Sequence, residues 1–185
     1  TSVVPYTSFA YDSGPDFRNH DEHPYFFQAG QRTLLEVPVT TGYAGWLRNF
    51  GPQLYELAQH PLALRARLGG ILARSRALER IRLSPEVASG AELRRLAASL
   101  QRDGCEVFTL TYHSPSMAVG HTPYVRSASD LERFIATVRD FCTWFRDELG
   151  GQFASLSQLR DMVGGGLQEI QAGPDDREWK RRMLG

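Results

Sequence analysis

Two histidines lie close together in a segment that follows a predicted buried strand. The segment LTYHSPSMAVGHTPYV, residues 110–125, holds His113 and His121, two of the five histidines in the chain. A histidine can serve as a general acid or base, because its unperturbed pKa of about 6.5 is near neutral pH. A loop histidine more commonly bonds a backbone carbonyl. The segment is therefore either a reactive site or a shaped turn.

Other catalytic chemistry has weaker sequence support. His113 and His121 lack the helical i, i+4 spacing and the flanking cysteine or carboxylate of a metal site. The polar run NHDEH, residues 19–23, could catch an adventitious metal, although an exposed loop is the better interpretation. The chain has no G-x-S-x-G nucleophile motif and no G-x-x-x-x-G-K-[ST] phosphate loop. Cys105 and Cys142 lie in apolar patterns and are interpreted as buried free thiols.

Composition gives no support to a nucleic-acid or membrane partner. Of the 185 residues, 21 are Lys or Arg and 21 are Asp or Glu, so the formal net charge is zero. A nucleic-acid or membrane-surface protein usually carries a basic excess, so neither partner is expected. No apolar run approaches the ~20 residues that span a bilayer. The chain opens with Thr1 and not with an initiator methionine, so we expect the natural N-terminus to lie upstream.

Strand and helix patterns alternate along the chain. Apolar runs with β-branched residues predict strands at 2–6, 34–39, 78–83 and 107–110. Helical spacing predicts helices at 46–58 and 61–78, and three capping-box patterns predict helices that begin after Ser89, Ser127 and Ser155. Residues 7–32 are predicted to form a long aromatic-rich loop, and Gly42 to Trp46 a turn. Loops of that length are often functional.

This alternation predicts an α/β fold with a mostly parallel sheet or barrel. Ligands in such folds bind at the carboxyl ends of the strands. His113 follows the predicted strand that ends near Leu110. Its position therefore favours a site.

The segment FTLTYHSPSMAVGHTPYV, residues 108–125, resembles a subgroup of the bacterial polysaccharide deacetylases, the NodB-homology family of carbohydrate esterases. Shorter matches extend the resemblance from residue 2 to about residue 160. They are SVVP at 2–5, GPDF at 14–17, PY at 24–25, LEVPVT at 35–40, DLE at 130–132 and ELGG at 148–151.

The resemblance implies part of a distorted (β/α) barrel, the second half of a polysaccharide-deacetylase-like domain. It also implies a divalent metal, most commonly zinc, whose bound water attacks an acetamide carbonyl while a carboxylate acts as base. His113 looks like the family's general acid. Leu110 stands three places before it, whereas the usual family motif has leucine two places before.

The sequence departs from the family in its metal site. The Thr-Phe-Asp-Asp-Gly-like, His-x-x-x-His-like and arginine-proline motifs are all missing. We therefore expect residues 1–163 to be the C-terminal portion of the domain and 164–185 to be a Gly-rich, then charged tail. The metal-binding half would not be in this chain, and no metal is expected on the chain alone.

The resemblance also suggests a substrate cleft formed in part by the loops at 7–32 and 111–126. Its candidate substrate-binding residues are Leu110, Tyr112, Asp16, Phe17 and Tyr25. The aromatic members could stack on sugar rings or pack against the protein. His121 is expected to shape the turn through a hydrogen bond.

Two functions remain open. One is the C-terminal portion of a metal-dependent carbohydrate N-acetyl deacetylase that acts on a carbohydrate or another N-acyl substrate. The other is a non-catalytic module of the same fold that binds carbohydrate or protein. Because a half-barrel leaves strand edges unpaired, a homo-oligomer or a complex with the missing N-terminal half is expected.

Overall fold

The computed structural model describes residues 23–51, 53, 54, 57, 74, 75 and 77–164. These fall into two compact units, Val39–Gln152 and a second unit of residues 23–38 with 153–164. The elements in chain order are β1 (Tyr25–Ala29), β2 (Arg32–Glu36), β3 (Thr41–Ala44), β4 (Glu79–Arg82), α1 (Gly90–Arg102), α2 (Ala128–Asp147) and α3 (Leu156–Val163). Short 3₁₀ turns occupy Arg48–Phe50 and Ser114–Met117.

The helices of the first unit begin where their capping boxes predict. The Ser89 side chain accepts the Glu92 N–H, and the Glu92 carboxylate accepts the Ser89 N–H, so α1 has two of its free donors satisfied. Ser127 and Asp130 make the same reciprocal pair at the start of α2. The chain turns after α1 at Gly104, whose φ of 89° is easily reached only without a Cβ. Both helix predictions are confirmed.

The core of the first unit lies between α1 and the β3–β4 pair. One face of α1 is fully buried, and Phe141 of α2 closes the cluster from the other side. Its buried members are Ala44, Ile81, Leu83, Leu93, Leu96, Ala97, Leu100 and Phe141. This packing is the apolar stripe expected of a helix that covers a sheet.

β3 occupies part of a segment for which the sequence predicted a turn. It pairs antiparallel with β4, with Tyr43 opposite Arg80. Gly42 lies in this strand because α1 passes close to it: a Cβ there would stand 2.9 Å from Leu100 Cδ2 and 3.1 Å from Leu96 Cδ1. The glycine therefore provides room for the helix. The strand predicted at 78–83 is confirmed as β4.

Residues 107–110 were predicted to be a strand, and this prediction is wrong. The segment has no strand pairing among the described residues. Isolated bonds hold it instead: the Thr109 N–H donates to Thr40 Oγ1 at 2.8 Å, and the Thr111 N–H donates to the Leu83 carbonyl at 3.1 Å. Phe108 and Leu110 pack against the core, which explains the apolar pattern.

The second unit contains an antiparallel hairpin of β1 and β2, with Phe27 opposite Leu34. Residues 25–29 were predicted to be loop, and that part of the prediction is wrong. The strand predicted at 34–39 starts earlier and is not buried, since the Leu34 residue is 43% exposed. Pro38 lies beyond the strand, where a missing N–H costs no ladder bond. The third capping box, Ser155 with Gln158, starts α3 as predicted.

The described strands pair only antiparallel, in two two-stranded sheets. The (β/α) barrel remains a prediction. The helix predicted at 46–58 is represented by the 3₁₀ turn Arg48–Phe50 and by helical residues 51, 53, 54 and 57. Most of the helix predicted at 61–78, the strand predicted at 2–6 and the tail at 165–185 lie outside the described residues. Within those residues, no helix combines the length and apolar character needed to cross a bilayer.

Candidate functional site

Glu86 lies in the turn that joins β4 to α1. Ser84 fixes this turn, because its carbonyl accepts the N–H groups of Val87 and Ala88 at 3.3 and 3.1 Å. The Glu86 N–H lies 3.4 Å from Ser84 Oγ. The Glu86 side chain is only 4% exposed. A carboxylate that is so far removed from water requires hydrogen-bond donors.

His113 supplies two of those donors. Its backbone N–H donates to Glu86 Oε1 at 3.0 Å, and its ring Nδ1 lies 2.8 Å from Glu86 Oε2. Since an ionised carboxylate only accepts, Nδ1 must carry the proton. The imidazole itself is 70% exposed. Within the described residues its Nε2 has no hydrogen-bond partner, so this nitrogen is presented to solvent.

Ser116 supplies the third donor from inside the loop. Its Oγ donates to Glu86 Oε1 and also lies 3.0 Å from Thr122 Oγ1. Ser116 is completely buried. Burial raises the pKa of Glu86, whereas the hydrogen bonds from Ser116 and from the His113 backbone and ring lower it. Together these bonds outweigh burial, so the pKa of Glu86 lies below its usual value. Glu86 is thus held as an anion beneath the loop.

The loop continues through a turn at 118–125, which is closed by backbone contacts. The Gly120 N–H donates to the Val125 carbonyl at 2.8 Å, with Gly120 at a φ of 82°. Thr122 and Val125 form an isolated β-bridge. His121 was expected to shape this turn by hydrogen bonding; it is exposed, and among the described residues it has no hydrogen-bond partner. The backbone contacts and the Ser116–Thr122 hydrogen bond hold the turn.

Two tyrosines flank His113 and differ in their surroundings. The Tyr112 ring meets the Phe134 ring edge to face, with centroids 5.5 Å apart. The Tyr124 ring is nearly parallel to the His113 imidazole, with an interplanar angle of 12° and centroids 6.4 Å apart. Both tyrosines are partly exposed, at 41% and 43%. Tyr112 packs against Phe134, whereas Tyr124 lies beside the exposed imidazole of His113.

The other predicted substrate-binding residues are not gathered around His113 by the described contacts. Leu110 packs against the core of the first unit. Tyr25 lies in β1 of the second unit, where its ring is 6.3 Å from that of Phe27. Asp16 and Phe17 lie outside the described residues. Tyr112 is thus the predicted substrate-binding residue that adjoins His113 with an exposed ring.

The residues that the structure describes do not form a metal site. No three His, Cys, Asp or Glu side chains among them are grouped to hold an ion. In the described loop, His113 Nδ1 is committed to Glu86, and His121 stands apart with no acidic partner. The donor set does not fit the zinc that the family resemblance implies.

Glu86 is the residue of the candidate site that the sequence analysis missed. It follows the strand predicted at 78–83 by only a few positions, and the carboxyl ends of strands are where sites gather. The same rule singled out His113. Applying it to the acidic residue after β4 would have marked Glu86 as a second candidate, although nothing in the sequence indicates its contact with His113.

Comparisons with family models, with curated proteins and with solved structures gave no match.

Proposed function

We propose that this chain contributes the proton-donating loop of a carbohydrate N-acetyl deacetylase, as the C-terminal portion of such an enzyme. The observation that carries the proposal is the Glu86–His113 pair. A nearly buried carboxylate fixes Nδ1 at 2.8 Å, while the rest of the imidazole is exposed. The resemblance of residues 108–125 to the deacetylase loop supplies the reaction class.

The arrangement of the pair supports general acid catalysis, because one ring nitrogen is fixed and the rest of the ring is exposed. A protonated His113 keeps its Nδ1–H on Glu86 and directs its Nε2–H outward. That proton passes to the substrate nitrogen as the amide C–N bond breaks, leaving a neutral imidazole and a free amine. The nearby carboxylate fixes the orientation of the ring. Because the described residues do not fit a metal, the activation of water is assigned to groups outside them.

A binding module is the second candidate, favoured by the exposed apolar side chains of the same loop. Met117, Val119 and Tyr124 are 48%, 43% and 43% exposed. Apolar side chains that cluster on a surface loop often mark an interaction site. In this case His113 would bind a ligand without transferring a proton. The ligand would be a carbohydrate or a protein, and association with a second copy or a missing half belongs to this candidate too.

Acylation of the histidines distinguishes these candidates. The purified chain is treated with diethyl pyrocarbonate, and the modification of His113 and His121 is followed separately by peptide mass spectrometry. His121 is the internal control, because it is exposed on the same loop and no described carboxylate bonds to it. We expect N-acetylglucosamine oligomers to protect His113 and not His121.

The de-N-acetylated glucosamine oligomers provide the comparison. Protection that requires the N-acetyl group supports the deacetylase. Equal protection by both oligomers favours a carbohydrate-binding module. Absence of protection by either, at concentrations that saturate ordinary sugar sites, overturns the carbohydrate proposal.

A further inference from the structure

The hydroxyl groups of Thr122 and Ser116 form a chain of hydrogen bonds that ends on Glu86. Ser116 Oγ donates to Glu86 Oε1, and the same oxygen lies 3.0 Å from Thr122 Oγ1. Ser116 is completely buried, whereas Thr122 is partly exposed in the outer turn of the loop. The chain therefore connects that turn to the carboxylate that holds the His113 ring.

The number of protons available fixes the direction of this chain. A hydroxyl group has one proton to donate, and an ionised carboxylate can only accept. Since Ser116 donates its proton to Glu86, the bond between Ser116 and Thr122 must use the proton of Thr122. Both bonds thus point from the turn toward Glu86, and Ser116 Oγ is an acceptor and a donor at once.

This direction strengthens the hydrogen bond that Glu86 receives. A hydroxyl group that accepts one bond becomes a better donor in the next, because the bonds of a chain polarise one another. Burial raises the pKa of Glu86, and the Ser116 bond makes the largest of the contributions that lower it, ahead of those from His113. Among the described residues, His113 is the titratable group that faces Glu86. Ser116 is therefore the main donor that keeps this carboxyl ionised.

We infer that Ser116 and Thr122 are positioning residues for His113 and act on its imidazole through Glu86. Their hydroxyl groups hold Oε1 and keep the carboxylate free of a proton, which leaves Oε2 to accept from Nδ1. The hydrogen bond at one ring nitrogen determines which nitrogen carries the proton. The imidazole thus keeps a proton on Nδ1, and Nε2 is the nitrogen that exchanges its proton with a substrate. This inference rests on the proposed function and adds two residues to its site.

Titration of the Glu86 carboxyl tests the inference. Its side-chain carbon is followed by NMR in the full chain as the pH is lowered, and the signal is assigned by its absence from Glu86→Gln. We expect Ser116→Ala to raise the pKa of Glu86, with the proton bound roughly tenfold more tightly, because a donor to a charged group is lost. Thr122→Val removes the second hydroxyl group but keeps the shape of the side chain, so it should raise this pKa by a smaller amount.

The Nδ1 proton of His113 gives a second readout, which links the carboxylate to the imidazole. This proton should begin to exchange rapidly with water at the pH at which Glu86 takes up its own proton, since a protonated carboxyl is a poorer acceptor. The onset should therefore lie at higher pH in Ser116→Ala than in the unmodified chain. A role confined to closing the loop would not couple these two signals.

Three further variants make the result specific. Thr122→Ser restores the hydroxyl group and should restore the unmodified pKa of Glu86. Ser114→Ala removes an exposed hydroxyl group from the same loop and should change nothing. In a double variant, Thr122→Val should add nothing to the effect of Ser116→Ala, because Thr122 acts through Ser116. Amide signals of α1 and α2 check that each variant is folded.

The outcomes separate this inference from the proposed function. A variant whose Glu86 titrates at no higher pH than in the unmodified chain counts as unchanged. An unchanged Ser116→Ala, a Thr122→Val effect that persists without Ser116, or a Nδ1 proton that does not follow Glu86 overturns the inference and leaves the deacetylase proposal standing. If the ring nitrogen shifts of the unmodified chain place the proton of the neutral imidazole on Nε2, both the inference and the proposed function fail.

Discussion

Glu86 holds the loop that carries His113 in place, because three hydrogen-bond donors converge on its two carboxylate oxygens. His113 provides a backbone and a ring donor, and Ser116 provides a hydroxyl. An unpaired charge in so enclosed a position would be strongly destabilising, so donors and acceptor depend on one another. The imidazole of His113 is exposed, whereas the carboxylate that orients it is almost buried.

We expect Glu86→Gln to destabilise the first unit by about 1–3 kcal/mol, the cost of leaving a buried donor without its acceptor. Glutamine preserves the shape of the side chain but offers one oxygen in place of two. Urea unfolding measures the change. Glu106→Gln is the matched control, because Glu106 is exposed and its substitution should have almost no effect.

The effect of Glu86 should depend on pH in a defined direction. Burial raises the pKa of this carboxyl, but the bonds from Ser116 and His113 outweigh burial and place the folded pKa below 4.5, its ordinary value. The carboxylate therefore stabilises the fold fully above the unfolded pKa, and this stabilisation is lost as the pH falls through the folded pKa. The stability gap between the unmodified chain and Glu86→Gln should narrow below about pH 4.5. A gap that stays constant on acidification would contradict this assignment.

At the scale of elements, the N-terminal cap of α2 fixes the end of the loop that carries His113. The loop ends at Ser127, whose side chain accepts the Asp130 N–H at 3.2 Å, and the Asp130 carboxylate accepts the Ser127 N–H at 3.0 Å. The same carboxylate oxygen lies 3.2 Å from the Arg126 N–H. The start of α2 and the end of the loop are therefore held by one capping box.

Ser127→Ala should lower the free energy of unfolding by about 1 kcal/mol, as the loss of an N-cap oxygen usually does. Urea unfolding followed by circular dichroism at helical wavelengths provides the measurement. Ser157→Ala, an exposed position inside α3, is the control and should change stability by less than about 0.5 kcal/mol. Equal stability of the two variants would mean that the cap of α2 contributes little.

The helices were the most predictable elements because their signals are local. The capping boxes at Ser89, Ser127 and Ser155 each lie within four consecutive residues, and the structure places helix starts at all three. Strands depend on partners elsewhere in the chain. The apolar run at 107–110 packs against the core without pairing with another strand. β1 lies in a segment rich in loop-forming residues, so its strand pattern was missed. The Glu86–His113 contact was unpredictable for the same reason, since it joins two distant loops.

At the scale of the whole molecule, the chain contains a candidate proton donor without a fitting metal site in its described residues. The sequence also lacks the metal-binding motifs of the family it resembles. We expect the purified chain, supplied with zinc, to release no acetate from N-acetylglucosamine oligomers at a rate above that of zinc alone. His113→Gln should behave identically. Robust, zinc-dependent release that His113→Gln abolishes would place a complete catalytic site within these 185 residues.

Hydrogen exchange at the backbone amide of His113 would measure how often this part of the molecule opens. Its hydrogen bond to Glu86 joins residues 27 positions apart, and α1 lies in the chain between them. Exchange of that hydrogen with heavy water requires the β4–α1 turn and the loop to part, not merely the fraying of an end. Its exchange rate therefore reports how often the loop that carries His113 detaches from the turn that carries Glu86.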